Sequence, residues 1–553
     1  MKISYCQHKM LKHTVGGALL LAALSLTGCS SDFMEEYSQD LSHVKSVDDL
    51  QELVMGDCLL PLSLFEYSDY YYSYENPNYM VLHFMGDELT ENLKPSKKHD
   101  PMNAAENFFP YFTWQQSCNL DYEGNNSKED QEAAFWDLGY EKIGNCNMVI
   151  DAAEDVDAND EEEQNTLHQA LGDCYFLRAF YYFTLTNLYG KPYAPSTASS
   201  DLAVPIKLTA YIEDKEFTRN TVAECYNQIV SDLNAAEEQL KQVQTTASIY
   251  HSSLAATYIL HSRVALYMQD WSEAQSYAKL ALEQNSTLQD LTAWTTETTG
   301  YPISSDNPEV LFSNGASCFG NYIYVSPQTK DKSWSSSSNQ PTFVVDDHLV
   351  ALYDDNDGRK SAYITDADDV SGHQYTYHKI DNSKDKYGVY KTASDVFCIR
   401  TAEAYLNLAE ADAQLGNNDE ACQYLTKLRA ARIADATAVS LSGENLITFI
   451  REERERELCF EGHRWFDLRR YMVDVNYPYT KTIEHTFTTY IYKDYEDVKQ
   501  ATAYYRLLPN DEAYTLDIPY SVRSFQNSIG SNPRPVREAY NTVTYDTGDE
   551  EEE

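Results

Sequence analysis

The chain predicts a mainly α fold in which helical hairpins form a scaffold, interrupted by large loop-rich inserts with a few short strands. Three observations carry this expectation. Residues 164–189 are apolar or aromatic nearly all round a helix, with Leu171, Cys174, Tyr175, Arg178, Tyr181, Tyr182, Leu185 and Leu188, as a central, heavily buried helix requires. Residues 253–285 and 397–433 each read as two helices joined by a short turn. Between and before these hairpins, in 286–396 and in Tyr67 to Trp114, helical periodicity disappears among Ser, Thr, Asn, Asp and Pro.

Taken in order, Ser46 with Asp49 forms a capping-box variant that opens a helix whose Leu50, Leu53 and Val54 share a face, and which ends before Pro61. The stretch from Tyr67 to Trp114 reads as loop, with Tyr70, Tyr71, Tyr72, Tyr74 and Tyr79 crowded among polar residues. Helices near 131–153 and 164–189 follow, the second stopped by Gly190 and Pro192. Asn220 to Lys241 carries a helical stripe of Val222, Tyr226, Ile229, Leu233 and Leu240. In the hairpin 253–285, Ala256, Leu260, Val264 and Tyr267 face Ala274, Tyr277, Ala278 and Leu282, small and large residues alternating as in tetratricopeptide pairs of about 34 residues. The unit at 397–433 repeats the pattern around the turn Gly416-Asn417-Asn418. In the insert between them, Val310 to Ser313 and Tyr322 to Val325 read as short strands. Residues 444–473 read as one strongly charged helix, and 500–540, with Pro509, Pro519, Pro533 and Pro535, as irregular.

At the start of the chain, Lys2, Lys9 and Lys12 precede an apolar run of twelve residues, Val15 to Leu26, and Leu26-Thr27-Gly28-Cys29 closes it. The run is too short to span a bilayer and fits a secretory signal. Gly28 beside Cys29 resembles the lipobox of bacterial lipoproteins, so Cys29 is the expected lipidation site and outer-membrane lipid an expected partner.

The formal charge of the 553 residues is −45; the leader contributes only its three lysines, so the remainder carries 39 basic and 87 acidic residues, a net −48. Such a surface excludes nucleic acid, whose phosphates need a basic face. Of eleven cysteines, nine remain beyond Cys6 and Cys29. Their odd number, wide spacing and lack of a CxxC pair argue against a disulfide framework or a zinc site. Cys146, Cys174, Cys422 and Cys459 lie in apolar helical stretches and read as small hydrophobes.

Four segments carry a resemblance. They are Arg178-Ala179-Phe180-Tyr181-Tyr182-Phe183 ending in Asn187-Leu188-Tyr189-Gly190; Ala402 to Ala411; Glu453-Arg454-Glu455-Arg456-Glu457-Leu458-Cys459-Phe460-Glu461-Gly462-His463-Arg464-Trp465-Phe466-Asp467-Leu468-Arg469-Arg470; and Ile518-Pro519 followed by Ser531-Asn532-Pro533. With them the chain resembles the SusD/RagB outer-membrane lipoproteins of Bacteroidetes. Asp357-Gly358-Arg359 after Tyr353 falls where that family commonly has an Asp-x-Arg element, and Asp32, Glu35 and Glu36 look like its signal for surface export.

The resemblance implies a lipoprotein signal over 1–28, a lipidated linker over 29–45, one SusD-like body over 46–540 and an acidic tail over 541–553. Within the body, ligand-binding inserts occupy about 62–130 and 286–396, and the helical scaffold 131–285 and 397–474. It also implies a partner, a SusC-like TonB-dependent transporter, and a glycan ligand held by the loop-rich face while the helical repeats meet the transporter. No cofactor is implied. The third motif reads as structural, with Arg454 and Glu457, or Glu461 and Arg464, pairing three residues apart on a helix face.

Sugars offer flat C–H faces and hydroxyls, so their sites need exposed rings and a few orienting polar groups. The inserts supply Trp114, Tyr74 and Tyr79, then Trp334, Tyr322, Tyr324 and Trp294, with Asp87, Asn119 and Asn321 as polar candidates. Trp136, Trp271 and Trp465 lie on helical faces and read as core. No HExxH, GxSxG or GxxxxGK[ST] occurs, so the expected protein is not an enzyme. The run Asp354 to Gly358 fails as a calcium loop, because with Gly358 at the sixth position Ile364 stands where the closing glutamate belongs. The reading is a surface glycan-binding lipoprotein; peptide capture, as in RagB-like relatives, a surface glycoside hydrolase and a purely structural lid are the alternatives.

Overall fold

The computed structural model describes residues 44–60, 81–92, 101–126, 134–244, 248–295, 298, 300–314, 343–366, 375–380, 393, 398–493 and 496–547. Its helices are α1 (Val47–Leu53), α2 (Val81–Met85), α3 (Pro101–Phe112), α4 (Ala134–Ala152), α5 (Glu161–Tyr189), α6 (Val222–Leu240), α7 (Leu254–Met268) and α8 (Trp271–Gln284). The second insert carries α9 (Asp347–Ala351) and α10 (Arg359–Ala362), and after it come α11 (Thr401–Gln414), α12 (Asn418–Ala430), α13 (Gly443–Leu458), α14 (Arg464–Met472) and α15 (Tyr520–Phe525). The strands are β1 (Leu89–Glu91), β2 (Val310–Ser313), β3 (Phe343–Val345), β4 (Ile364–Asp366), β5 (Tyr375–Tyr377), β6 (Cys398–Arg400), β7 (Ile483–Lys493), β8 (Glu496–Leu507) and β9 (Asn541–Thr544).

The scaffold is a run of neighbours in which each helix packs on the one before: α4 on α5, α5 on α6, α6 on α7 and α7 on α8. The chain then leaves for the second insert and returns with α11, which packs on α8 and is followed by α12 and α13. A hairpin cannot bury its apolar face alone, so stacking on the next pair is what stabilises it. From Gln169 to Tyr189 nearly every side chain of α5 is buried. Gly172 permits this closeness, because a Cβ there would meet the Leu240 side chain of α6 at 2.6 Å.

The helix starts follow local chemistry. The Ser46 hydroxyl and the Asp49 carboxylate form the expected capping box on α1, which continues as a π turn over Val54–Cys58. Thr221 and Glu224 form a second capping box on α6.

Three expectations are corrected. The charged segment 444–473 is two helices, broken where Phe460 (φ 61°) and Gly462 (φ 79°) adopt left-handed backbone. The break turns the acidic face of α13 inward and lets the Phe460 N–H donate to Glu88 at 2.9 Å. The first insert is not all loop, since α2, β1 and α3 form within it. Finally, 483–507 is a long antiparallel hairpin, Ile483 facing Leu507, and Asn541–Thr544 of the expected tail adds to it as β9. Its run Thr486 to Tyr492 is rich in the β-branched and aromatic residues that pack on a pleated surface.

The two inserts are stitched to each other and to the scaffold by short ladders: β1 pairs with β3, and β2 with β6 just before α11. The expected strand at Val310 to Ser313 is β2; the one at Tyr322 to Val325 lies outside the described residues.

Candidate functional site

The densest charge in the molecule lies where α13 meets the second insert, and it is turned wholly inward. Glu457 is buried and accepts from Arg400 at 2.7 Å, Arg432 at 2.9 Å, Arg359 at 3.0 Å and the Tyr363 hydroxyl at 2.9 Å. Glu461 accepts from Lys379 at 2.6 Å and Arg400 at 2.8 Å; Glu453 from Arg429 at 2.6 Å and Arg359 at 2.7 Å. Burial pushes the Glu457 carboxyl up, but the guanidinium groups of Arg432, Arg400 and Arg359 hold it well below the ordinary range. The partners are distant in sequence, which corrects the expected pairing along the helix: Arg454 bonds Asp467 at 2.7 Å and Arg464 bonds Asp87 at 2.7 Å. Each of these carboxylates is spent on cations, so the lattice holds the scaffold together and offers no free acid or base. The Asp-x-Arg element belongs to it, Asp357 gripping Arg359 from 2.7 Å.

A second polar cluster joins the two inserts. Asp87 accepts from Arg464 at 2.7 and 2.8 Å and also from Lys481, while His348 lies 3.6 Å from it. The His348 ring also meets Asp346 at 2.6 Å and Glu455 at 2.8 Å. Burial opposes its charge, yet those carboxylates raise the imidazole to about 9, so it is a cation at neutral pH. Asp87, His348 and Glu455 could geometrically hold a metal ion. The donor set does not fit one, because Arg464, Lys481 and protonated His348 already neutralise the three carboxylates of Asp87, Asp346 and Glu455.

The candidate residues separate. Trp114 does not face solvent: its ring is 0% exposed, its indole N–H donates to the Met85 carbonyl at 2.9 Å, and it stacks on His485 at 4.6 Å. His485 in turn stacks on Phe112 at 3.9 Å, so the expected stacking ring is a layer of the core. Asp87 is buried in the cluster above, Asn119 is buried, and Trp294 is half-buried against the main core. Trp136 and Trp465 are core, and Trp271 is partly buried against it. Cys29, Tyr74, Tyr79, Asn321, Tyr322, Tyr324 and Trp334 lie outside the described residues.

One feature escaped the sequence. An apolar pocket of about 210 Å³ opens between α4, the segment 205–217 and α15, walled by Trp136, Tyr140, Phe217, Val522, Phe525 and Ile529. Its polar groups are occupied: the Tyr140 hydroxyl donates to the Pro205 carbonyl at 2.7 Å, and the Phe217 N–H donates to Gln526 at 2.9 Å. The walls therefore suit an apolar face better than a hydroxylated one. Phe525 stands 87% exposed at this pocket.

Two family descriptions match: residues 359–534 match "SusD family", and residues 81–266 match "Starch-binding associating with outer membrane". SusD-like protein P2 of Formosa agariphila is 26% identical over 377 residues, covering 61% of this chain and 71% of the relative. SusD-like protein P38 of the same organism is 25% identical over 383 residues, with the same coverage. Among solved structures, a SusD-like carbohydrate binding protein from Bacteroides vulgatus superposes with a TM-score of 0.63 at 21% identity, covering 89% of this chain and 98% of the other. A SusD superfamily protein from Bacteroides thetaiotaomicron gives 0.61 at 20% identity, over 88% of this chain and 100% of the other.

Proposed function

The chain belongs to the SusD/RagB family, and from that premise we propose that it is a non-catalytic, cell-surface glycan receptor. Lipid on Cys29 anchors it to the outer membrane, and it passes captured oligo- or polysaccharide to a SusC-like TonB-dependent transporter. Among the described residues no helix is long and apolar enough to cross a membrane.

The observation that carries this reading is the position of the aromatic insert. The two family matches end at 266 and resume at 359, and Trp294, Asn321, Tyr322, Tyr324 and Trp334 all fall between them. A shared frame with its own aromatic loop is how one scaffold serves different sugars, since loops carry recognition while the frame carries stability. The catalytic alternative finds no support in the two carboxylate clusters, whose members pair with arginine, lysine or His348.

Native-gel retardation of residues 30–553 by a panel of plant, fungal and host polysaccharides tests the proposal, with a Trp334→Ala, Tyr324→Ala double variant alongside. Retardation by one polymer, lost in the variant and without release of reducing ends, is the expected result. No retardation by any polymer, with peptides bound instead, would replace it by the peptide-capture reading.

A further inference from the structure

Three cysteines far apart in sequence meet in the core. Cys58 ends the π turn after α1, Cys146 lies on α4 and Cys174 on α5. All three are 0% exposed, and their sulfur atoms lie within 4.8 Å of one another. Among the described residues this is the one place where three thiols converge. The Cys58 turn is pinned from both flanking helices: the Tyr181 hydroxyl donates to the Cys58 carbonyl at 2.7 Å, and Lys142 and Asn145 donate to the Asp57 carbonyl at 2.9 and 2.8 Å. The thiols are thus held by backbone and side-chain contacts independent of their own packing.

We propose that Cys58, Cys146 and Cys174 form a buried trigonal thiolate site for copper(I). A metal–sulfur bond of about 2.3 Å places three trigonal sulfurs about 4 Å apart, inside the span the thiols already occupy. Among the described residues no imidazole or carboxylate joins the group, so zinc would lack its fourth ligand there, whereas a soft monovalent ion is satisfied by thiolates alone. The chemistry balances without an oxidant. Three S–H bonds break, three Cu–S bonds form, three protons leave to solvent and the copper stays as copper(I).

A site this deep fills as the chain folds or through local opening of α1, a helix of seven residues.

The test uses the whole protein, reduced and under nitrogen, titrated with copper(I) presented as its bicinchoninate complex, and a second sample folded with copper(I) present. One equivalent per chain withdrawn from the chelator, with a thiolate-to-copper charge-transfer band, is the expected result in at least the second sample. Cys146→Ser should abolish both signals, while Cys422→Ser, on α12, should keep them. Should Cys146→Ser fail to fold, Cys58→Ala and Cys174→Ala stand in for it. Absence of the band in both samples overturns the site, as does its survival in the cluster variants, or a thiol count lowered by two without copper, which would mean a disulfide. Polysaccharide retardation is a separate readout, so this inference and the glycan reading fail independently.

Discussion

Single residues show why an aromatic side chain in a loop-like sequence is weak ground for a binding site. Trp114 follows α3 in left-handed backbone (φ 52°), which swings its ring inward against His485 instead of out to solvent. Trp114→Ala should therefore cost about 3–5 kcal/mol of stability, the range for emptying a buried Trp site, read as a lower urea midpoint. His348 offers a sharper test, because its charge is set by tertiary neighbours. Its folded pKa, about 9, lies above the ordinary value of 6.5, so the folded state holds the proton more tightly than the unfolded chain. The stabilisation is complete below about pH 6.5 and is lost as pH rises through about 9. In His348→Gln the fall in stability between those values should be absent, measured as the difference in Tm between variant and parent across the range. Neither fact was legible beforehand: the sequence placed Trp114 and His348 in inserts, and only their neighbours assigned them to the core and to a charged cluster.

Among elements, periodicity over long stretches was dependable and its ends were not. The hairpins α7–α8 and α11–α12 formed where small and large residues alternate. The break between α13 and α14 did not announce itself, because helical spacing of charges continues straight through Phe460 and Gly462. The hairpin β7–β8 runs into the stretch 500–540, whose prolines mark it as irregular, although the threonines and aromatics of its strands favour a sheet. The junction of the second insert with α12 is decided by one glycine. At Gly358 a Cβ would stand 1.8 Å from the Leu291 carbonyl oxygen, while the Gly358 N–H donates to the Arg432 carbonyl at 2.9 Å. Backbone cannot retreat there as a flexible side chain could. Gly358→Ala should cost about 3 kcal/mol, the upper end of overpacking, seen in denaturant unfolding, with helix content by circular dichroism unchanged.

For the whole molecule, the buried lattice is what makes scaffold and inserts one body. Glu309 and Tyr363 come from the second insert, Arg400 from β6, Arg432 from the end of α12 and Glu457 from α13, and they meet around one carboxylate. Glu457→Gln leaves three guanidinium groups facing a neutral side chain and should cost about 3–5 kcal/mol. Urea unfolding should stay a single transition at the lower midpoint, and added salt should not restore it, since buried pairs are little screened. By itself the sequence determined the mainly helical class, the repeated hairpins, the inserts between them and the family, because apolar periodicity and contiguous motifs are local properties of a chain. Only the tertiary structure decided which partner each arginine takes, that Trp114 lies inside, and that Cys58, Cys146 and Cys174 converge. Those outcomes depend on which distant segments come to rest side by side, and burial, charge pairing and ligand geometry are properties of neighbours in space.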